Sequence, residues 1–310
     1  MDVFLSTFEA IATIFIIGFI GFAVMLRRLV PRDALSAISP LFLEVALPAL
    51  GFIKIVNSFD ISQKYKVILM PLLWCVFTVI IFLLAHLFKY LSRKQWRAEF
   101  AMTLFFQNAI FIPLIILHRL YGADNPYIVD LFLFSILYSP FFFHYNHLFV
   151  KSNGLGIRWN KLYHPVVMST LLAIIIVLLG LKSYVPVFMT NALSMVGGMA
   201  IPLLMVIVGG NIYLDFSATH KIYYCEVLKF ILVKNFIFPA IALLVIWSLS
   251  LSHDLGVLIL LQAATPPLMA VPIFAERLGR DRAIVNQYII GSIIVSVISI
   301  PLFFFLFNLI

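Results

Sequence analysis

The chain is organised as ten long apolar runs separated by short stretches rich in charged residues, proline, glycine and asparagine. Each run is about 20 residues long, the length that an α-helix needs to cross the hydrocarbon core of a bilayer. The apolar positions are continuous, whereas the strands of a membrane β-barrel alternate between apolar and polar residues. The pattern predicts an all-α membrane protein whose ten helices span residues 4–26, 35–57, 67–89, 98–118, 128–149, 165–182, 188–213, 227–250, 255–275 and 284–308.

The composition excludes most other classes of protein. Of 310 residues, 64% are hydrophobic and 11% are charged, whereas a soluble domain is about 25% charged. This excludes a soluble enzyme and a nucleic-acid-binding domain, so we expect the lipid bilayer rather than nucleic acid as a partner. Cys75 and Cys225 both lie in apolar surroundings, so we expect neither a disulfide framework nor a metal site. No nucleotide-binding motif is present, and we expect no cofactor and no ATP-driven activity.

The basic residues define an orientation. Fifteen of the 21 lysines and arginines lie in or beside the loops that follow runs one, three, five, seven and nine, five lie on the opposite side, and Lys234 lies inside a run. Basic residues collect on the cytoplasmic side of membranes. We therefore expect a multi-pass protein of the plasma or inner membrane with both termini outside.

The two halves of the chain carry similar motifs in the same order. Pro48 and Pro202 lie 154 residues apart, and Gly122 and Gly279 lie 157 residues apart. These offsets indicate two five-helix repeats, at 1–150 and 160–310. Because five is odd, the second repeat enters the membrane from the opposite side, which is a common plan of secondary transporters.

The fourth and ninth runs carry polar residues and prolines near their midpoints. Proline lacks a backbone N–H, so each of these helices is expected to break near the centre of the bilayer. Freed backbone groups at that depth must meet protein or line a water-filled cavity, and half-helix N-termini offer partial positive charge and unpaired amides to an anion. The candidate substrate-binding residues are Gln107, Asn108, Pro113, Gln262, Thr265, Pro266 and Pro267.

Several of these motifs resemble those of the auxin efflux carrier family. They are Ala46-Leu-Pro48-Ala, the mid-helix Asn108 ahead of Tyr121-Gly122, Pro266-Pro267, and the stretch Phe274-Ala-Glu-Arg-Leu-Gly279. Asn108 occupies the position of that family's carboxylate-binding asparagine. The chain departs from the family between Asn108 and Pro113, where Ala109, Ile110, Phe111 and Ile112 replace the expected glycine and early proline, which leaves the substrate size open.

The resemblance implies a ten-helix fold shared with bile acid–sodium symporters and sodium–proton antiporters, in which helices four and nine cross at the substrate site. Helices 1, 2, 6 and 7 then form a scaffold against which helices 3–5 and 8–10 slide, as in an elevator. Family members move organic anions such as dicarboxylates or auxin, and many are homodimers through the scaffold helices. The expected function is thus secondary active transport of a small organic anion.

Glu44 and Lys234 lie inside predicted helices at a similar depth, roughly 10 Å from the cytoplasmic start of each helix, where an ionisable residue is costly unless it faces protein or water. We interpret Glu44 as a protonatable coupling group with Lys234 as its partner, and coupling to sodium remains open. The alternatives are a sodium-coupled symporter of the bile-acid type, an intramembrane lipid-modifying enzyme using His144, His147 and Glu44, and a passive channel.

Overall fold

The computed structural model describes residues 2–31, 33–122, 125–138, 164–217 and 222–309. Its helices are α1 (Asp2–Leu26), α2 (Ala34–Pro40, a π-helical turn Leu41–Ala46, and Leu47–Ser58), α3 (Lys66–Phe88), α4a (Arg97–Phe105), α4b (Phe111–Tyr121), α5 (Pro126–Phe134), α6 (Pro165–Leu178), α7a (Val187–Gly198), α7b (Ala200–Ser217), α8 (Tyr224–Ile231, a π-helical turn Leu232–Ile237, and Phe238–Ser248), α9a (His253–Ala264), α9b (Val271–Arg277) and α10 (Arg282–Phe307).

The described residues form no β-strand, and many large apolar side chains lie exposed on their outer surface. Among these residues, five stretches are long and apolar enough to cross a membrane: Ala37–Ser58, Lys66–Leu91, Val187–Leu214, Tyr224–Ser248 and Arg282–Phe307. Shorter apolar helices accompany them. Large apolar side chains such as Ile68, Phe188 and Met195 are more than three-quarters exposed, which water would disfavour and lipid tolerates. The prediction of an all-α membrane protein is confirmed.

The helices pack as two groups. In the first group, α1 packs against α7b, and α2 packs against α6 and α7a. The contact between α1 and α7b is so close that a Cβ atom on Gly209 would overlap the carbonyl oxygen of Gly18. In the second group, α3 packs against α4a and α5, while α8 packs against α9a and α10. The groups meet where α1 contacts α10 and α4b, and where α2 contacts α5.

The turns that follow α4b and α9b each hold a glycine at positive φ. Gly122 follows α4b with φ 86°, and Gly279 follows α9b with φ 68°. Positive φ is readily available to glycine alone, which explains why both turns carry it. The next helix is capped in both cases, since the side chain of Asn125 accepts from the first turn of α5 and that of Asp281 accepts from the first turn of α10.

The start of α3 and the start of α8 are also tied down at corresponding places. Lys66 Nζ donates to Asp130 Oδ2 of α5 over 2.7 Å, and Tyr223 N donates to Gln287 Oε1 of α10 over 2.8 Å. Each bond joins residues 64 positions apart. The second bond is shifted by 157 positions from the first, the same shift that relates the two glycine turns.

Candidate functional site

The two interrupted helices meet at their interruptions. Between α4a and α4b the chain leaves the helix at 106–110, and between α9a and α9b it does so at 265–270. The two segments run antiparallel: Asn108 N donates to Pro266 O over 2.9 Å, and Leu268 N donates to Phe106 O over 2.8 Å. These two bonds pair backbone N–H and C=O groups that have no partner within a helix. Backbone groups inside a membrane protein need such partners, because the hydrocarbon core offers none.

The interruption of α9 follows from its two prolines. Pro266 and Pro267 have no N–H, so the carbonyl groups of Gln262 and Ala263, four residues earlier, lose their usual helical donors. The hydroxyl of Thr265 donates to the Gln262 carbonyl over 3.3 Å. Thr265 is fully buried at the end of α9a. It does not line either of the two cavities that Asn108 lines.

Lys234 supplies the second missing donor. Its Nζ donates to Ala263 O over 3.1 Å and lies 5.3 Å from the centre of the Phe238 ring. The side chain is 1% exposed. A cation at the C-terminal end of a helix also meets the negative end of the helix dipole. Lys234 therefore ties α8 to the broken end of α9a.

Asn108 closes the first interruption from the other direction. Its Oδ1 accepts from Phe111 N over 3.0 Å and from Ile112 N over 3.4 Å, which caps the start of α4b. Pro113 has no N–H, and Leu114 N donates to the carbonyl of Ile110. The expectation of unpaired amides at this half-helix is therefore wrong, because the capping side chain already occupies them.

The two glutamines stabilise the crossing itself. Gln262 Nε2 donates to Ala109 O over 2.7 Å, whereas its buried Oε1 has no hydrogen-bond partner in the described part of the chain. The carbonyl of Gln107 accepts from the hydroxyl of Tyr138 over 2.5 Å. The side chain of Gln107 lines a separate pocket of about 10 Å³ with Thr78. Neither glutamine lines the cavities that Asn108 reaches.

Asn108 lines two cavities, both of which lie between the two helix groups. One, of about 240 Å³, is bounded by α1, α7b, α4b and α10, and among its lining side chains Asn108 and Ser296 are polar. The other, of about 120 Å³, is bounded by α2, the crossing segments and the start of α6, and includes Tyr138 and His164. An apolar cavity with a few polar groups suits a ligand with an apolar body and one polar end.

Glu44 and Lys234 each lie in a π-helical turn. Glu44 lies in the turn before Leu47-Pro48, and Lys234 in the turn before Phe238-Pro239. Such turns often occur at functional sites. The two side chains differ in burial, since Glu44 is exposed and Lys234 is buried. Their pairing stays a prediction.

Three cavity residues escaped the list of candidates. Ser292, Ser296 and Ser299 are spaced along one face of α10, and this spacing was the signal in the sequence that could have pointed to Ser296. Ser292 and Ser299 bond to Asn235 instead of lining the cavity. Tyr138 and His164 are brought in by folding. Burial lowers the pKa of the His164 imidazole, while the carboxylate of Glu44 opposes that shift.

His144 and His147, on which the enzyme alternative depends, lie outside the described residues.

The fold and the site together define a helical membrane protein with a cavity at the crossing of two interrupted helices. A family model described as Membrane transport protein matches residues 6–157 and 148–304. The chain therefore belongs to the auxin efflux carrier family of membrane transporters, and the resemblance seen in its motifs is confirmed. No curated protein matches the chain.

Proposed function

We propose that this protein is a secondary active transporter of a small organic anion, a carboxylate or an auxin-like acid, and that it works by elevator-type alternating access. The observation that carries the proposal is the position of Asn108. It lies at the crossing of two interrupted helices and lines two largely apolar cavities.

The chemistry of Asn108 favours an anion over a cation. Its Oδ1 accepts from two backbone N–H groups, so the Nδ2 amide hydrogens are what this side chain can offer to a ligand. The positive end of the α4b dipole lies at the same place. A carboxylate accepts hydrogen bonds and is stabilised by both features.

The packing supports two bodies that move past each other. We propose that α1, α2, α6 and α7 form a scaffold and that the other helices form the transport body. Both cavities lined by Asn108 lie between these groups. A relative shift of the groups would open one cavity and close the other.

The matching turns and ties support two repeats, at 1–150 and 160–310. Their inverted orientation rests on the alternation of basic loops. The same alternation supports a place in the plasma or inner membrane with both termini outside, and the family resemblance supports a homodimer through the scaffold helices.

Coupling to protons is the form of energy input that we favour. The amino group of Lys234 already donates to the Ala263 carbonyl at the end of α9a, where a sodium ion would otherwise be stabilised by the freed carbonyl groups. Glu44, near the imidazole of His164, is the proposed proton carrier, with Lys234 as its partner. Sodium coupling of the bile-acid type is the second candidate, because the pocket beside Gln107, Thr78 and Tyr138 has room for about one water molecule or ion.

Substitutions at Asn108 test the anion site in proteoliposomes loaded with a panel of monocarboxylates and dicarboxylates. Asn108→Asp keeps an acceptor for the cap of α4b but places a negative charge beside the cavities. We expect it to fold like the wild type and to transport at least tenfold more slowly. Asn108→Ala should lose transport and also about 1 kcal/mol of stability, the usual contribution of a cap.

Asn125→Ala is the control, because it removes the cap of α5 together with the bonds to the carbonyls of Leu117 and Gly122, and Asn125 lines neither cavity that Asn108 reaches. It should lose at least as much stability as Asn108→Ala and keep transport. If the wild type moves no carboxylate, or if Asn108→Asp transports normally, the anion site is refuted.

A further inference from the structure

The larger of the two cavities that Asn108 lines reaches the outer surface of the molecule between α1 and α10. Phe19 on α1 and Ile294 on α10 line this cavity of about 240 Å³, and they are 66% and 61% exposed. The gap between these two side chains is the mouth of the cavity. The smaller cavity differs, because none of the described residues that line it is exposed.

The mouth lies at the depth of the lipid tails. Ile294 is midway along α10, whose 26 residues are long and apolar enough to cross a membrane. The exposed side chains beside the mouth are also apolar, namely Ile16 and Ile20 on α1 and Ile298 on α10. Water would disfavour such a surface, whereas lipid tolerates it. The mouth therefore opens sideways into the bilayer.

The polar groups of this cavity lie at its inner end. Asn108 and Ser296 are buried, and Ser296 Oγ donates to the carbonyl of Ile293 within α10 over 2.6 Å. The amide hydrogens of Asn108 are thus the donors that the cavity offers to a ligand. No described lysine, arginine or histidine lines it. One carboxyl group is satisfied here, whereas a second one would be buried without a partner, which is costly.

We infer that the mouth is a lateral portal, through which a monocarboxylic acid with an acyl chain enters from the bilayer, its carboxyl group at Asn108 and its chain between Phe19 and Ile294. The acid enters uncharged, because an ionised carboxyl group is costly in hydrocarbon. The amide of Asn108 donates to the oxygens of either form. A chain longer than the cavity extends back into lipid through the mouth. The inference rests on the proposed function and adds the class of substrate and its route.

Photolabelling in lipid nanodiscs tests the portal. The probe is dodecanoic acid with a diazirine near its methyl end, and the control probe is the dodecylamine analogue, whose ammonium group donates hydrogen bonds but accepts none. Labelled peptides are identified by mass spectrometry. The acid should label 16–22 of α1 and 290–298 of α10 at least about 10-fold more than the amine does, since the amine lacks the hydrogen bond between Asn108 and a charged acceptor.

The exposed face of α3 reports the labelling by probe that is merely dissolved in lipid. Leu72 and Val79 are exposed there and do not line the cavity. Their labelling should be the same for the acid and the amine. Equal labelling of the mouth by the two probes overturns the portal.

Two pairs of exposed positions provide matched variants. Ile294 and Ile298 are both 61% exposed and lie one turn apart on α10, but Ile298 does not line the cavity. Ile294→Trp places a bulky ring in the mouth and should lower labelling by the acid about 3-fold to 10-fold, whereas Ile298→Trp should change it by less than about twofold. Phe19→Trp and Ile16→Trp form the second pair, at 66% and 65% exposure. Because all four side chains are exposed, these substitutions should not disturb folding, and equal effects within each pair refute the portal.

Competition and transport separate the portal from the proposed function. Unlabelled octanoate should compete with the acid probe, and competition by succinate would contradict the assigned class of substrate. If the wild type moves no carboxylate in proteoliposomes but Asn108→Asp abolishes labelling of the mouth, the transport function fails and the portal stands as a binding site for acyl-chain acids. If a short carboxylate is transported in a way that depends on Asn108 and the mouth is not labelled, the portal fails alone.

Discussion

The two halves of the molecule hold corresponding helices in place with different chemistry. In the first half, Lys66 and Asp130 form a buried ion pair with 9% and 6% of their side chains exposed. In the second half, a backbone N–H of Tyr223 meets the neutral amide of Gln287. Both bonds join the start of one helix to the helix two later in the numbering, α3 to α5 and α8 to α10. Equivalent positions are thus joined by different pairs of residues.

The two interruptions differ in a similar way. Asn108 satisfies the start of α4b, whereas Thr265 and Lys234 satisfy the end of α9a. The first interruption therefore presents a side chain with free capacity to donate, and the second buries its polar groups among protein atoms. This difference explains why we assign the substrate to Asn108 rather than to Thr265.

The largest effect on stability is expected at the ion pair. Lys66→Met leaves the carboxylate of Asp130 buried without a partner, which costs about 3 to 5 kcal/mol. The free energy of unfolding in mixed micelles measures this loss. The double variant Lys66→Met with Asp130→Leu should recover most of it, because neither charge remains. A double variant as unstable as the single one would show that the pair acts through shape and not through charge.

A smaller effect is expected at the end of α9a. Thr265→Val keeps the side-chain shape but removes the hydroxyl that donates to the carbonyl of Gln262, at a buried site. We expect a loss of about 1 to 3 kcal/mol in the same unfolding measurement. Thr190→Val, whose hydroxyl bonds to a carbonyl at an exposed position, is the control and should change stability by less than about 0.5 kcal/mol. Equal losses at both sites would contradict the role given to Thr265.

The hydrogen bond between Tyr223 and Gln287 should contribute less to the free energy of unfolding than the ion pair of Lys66 and Asp130. Gln287→Leu removes the acceptor for Tyr223 N and should cost about 0.5 to 1.5 kcal/mol. The comparison with Lys66→Met in one set of unfolding measurements tests the contrast directly. If Gln287→Leu lowers the free energy of unfolding more than Lys66→Met does, the neutral hydrogen bond is the stronger of the two interactions and the proposed order is wrong.

The smallest expected effect is a shift in pH dependence at the π-helical turn of Glu44. Burial holds the pKa of His164 below its ordinary value, and the Glu44 carboxylate opposes this. Glu44→Gln removes the opposing charge, so the pKa falls further and the imidazole stays neutral to lower pH. Because Glu44 is also the proposed proton carrier, Glu44→Gln should abolish proton-driven accumulation of the substrate. The acid limb of the remaining downhill transport should move to lower pH by less than about one unit.

The acid limb of the transport rate is assigned to protonation of the His164 imidazole, so His164→Gln should abolish it. An identical pH profile for Glu44→Gln and wild type would end the case for Glu44 as a coupling group.

Much of the architecture could be predicted because the relevant patterns are local. Continuous apolar runs of bilayer length predict membrane helices, and adjacent prolines at 266 and 267 predict a break, since both depend on neighbours within a few positions. Asn108 was predicted as a site residue from its place at the centre of a run, and it lines two cavities. The glycines at 122 and 279 stood out because each lies in a turn at positive φ, which glycine adopts readily.

The tertiary structure decided what the polar groups at the breaks do. The bonds from Lys234 to Ala263 and from Gln262 to Ala109 join residues 29 and 153 positions apart, and no local pattern encodes such partners. For the same reason the sequence did not separate Asn108, which lines the cavities, from Gln107, which faces another pocket, or reveal that Phe19 and Ile294 line the same cavity. Local periodicity determined the helices and their breaks, while contacts between distant helices determined which side chains line the cavities.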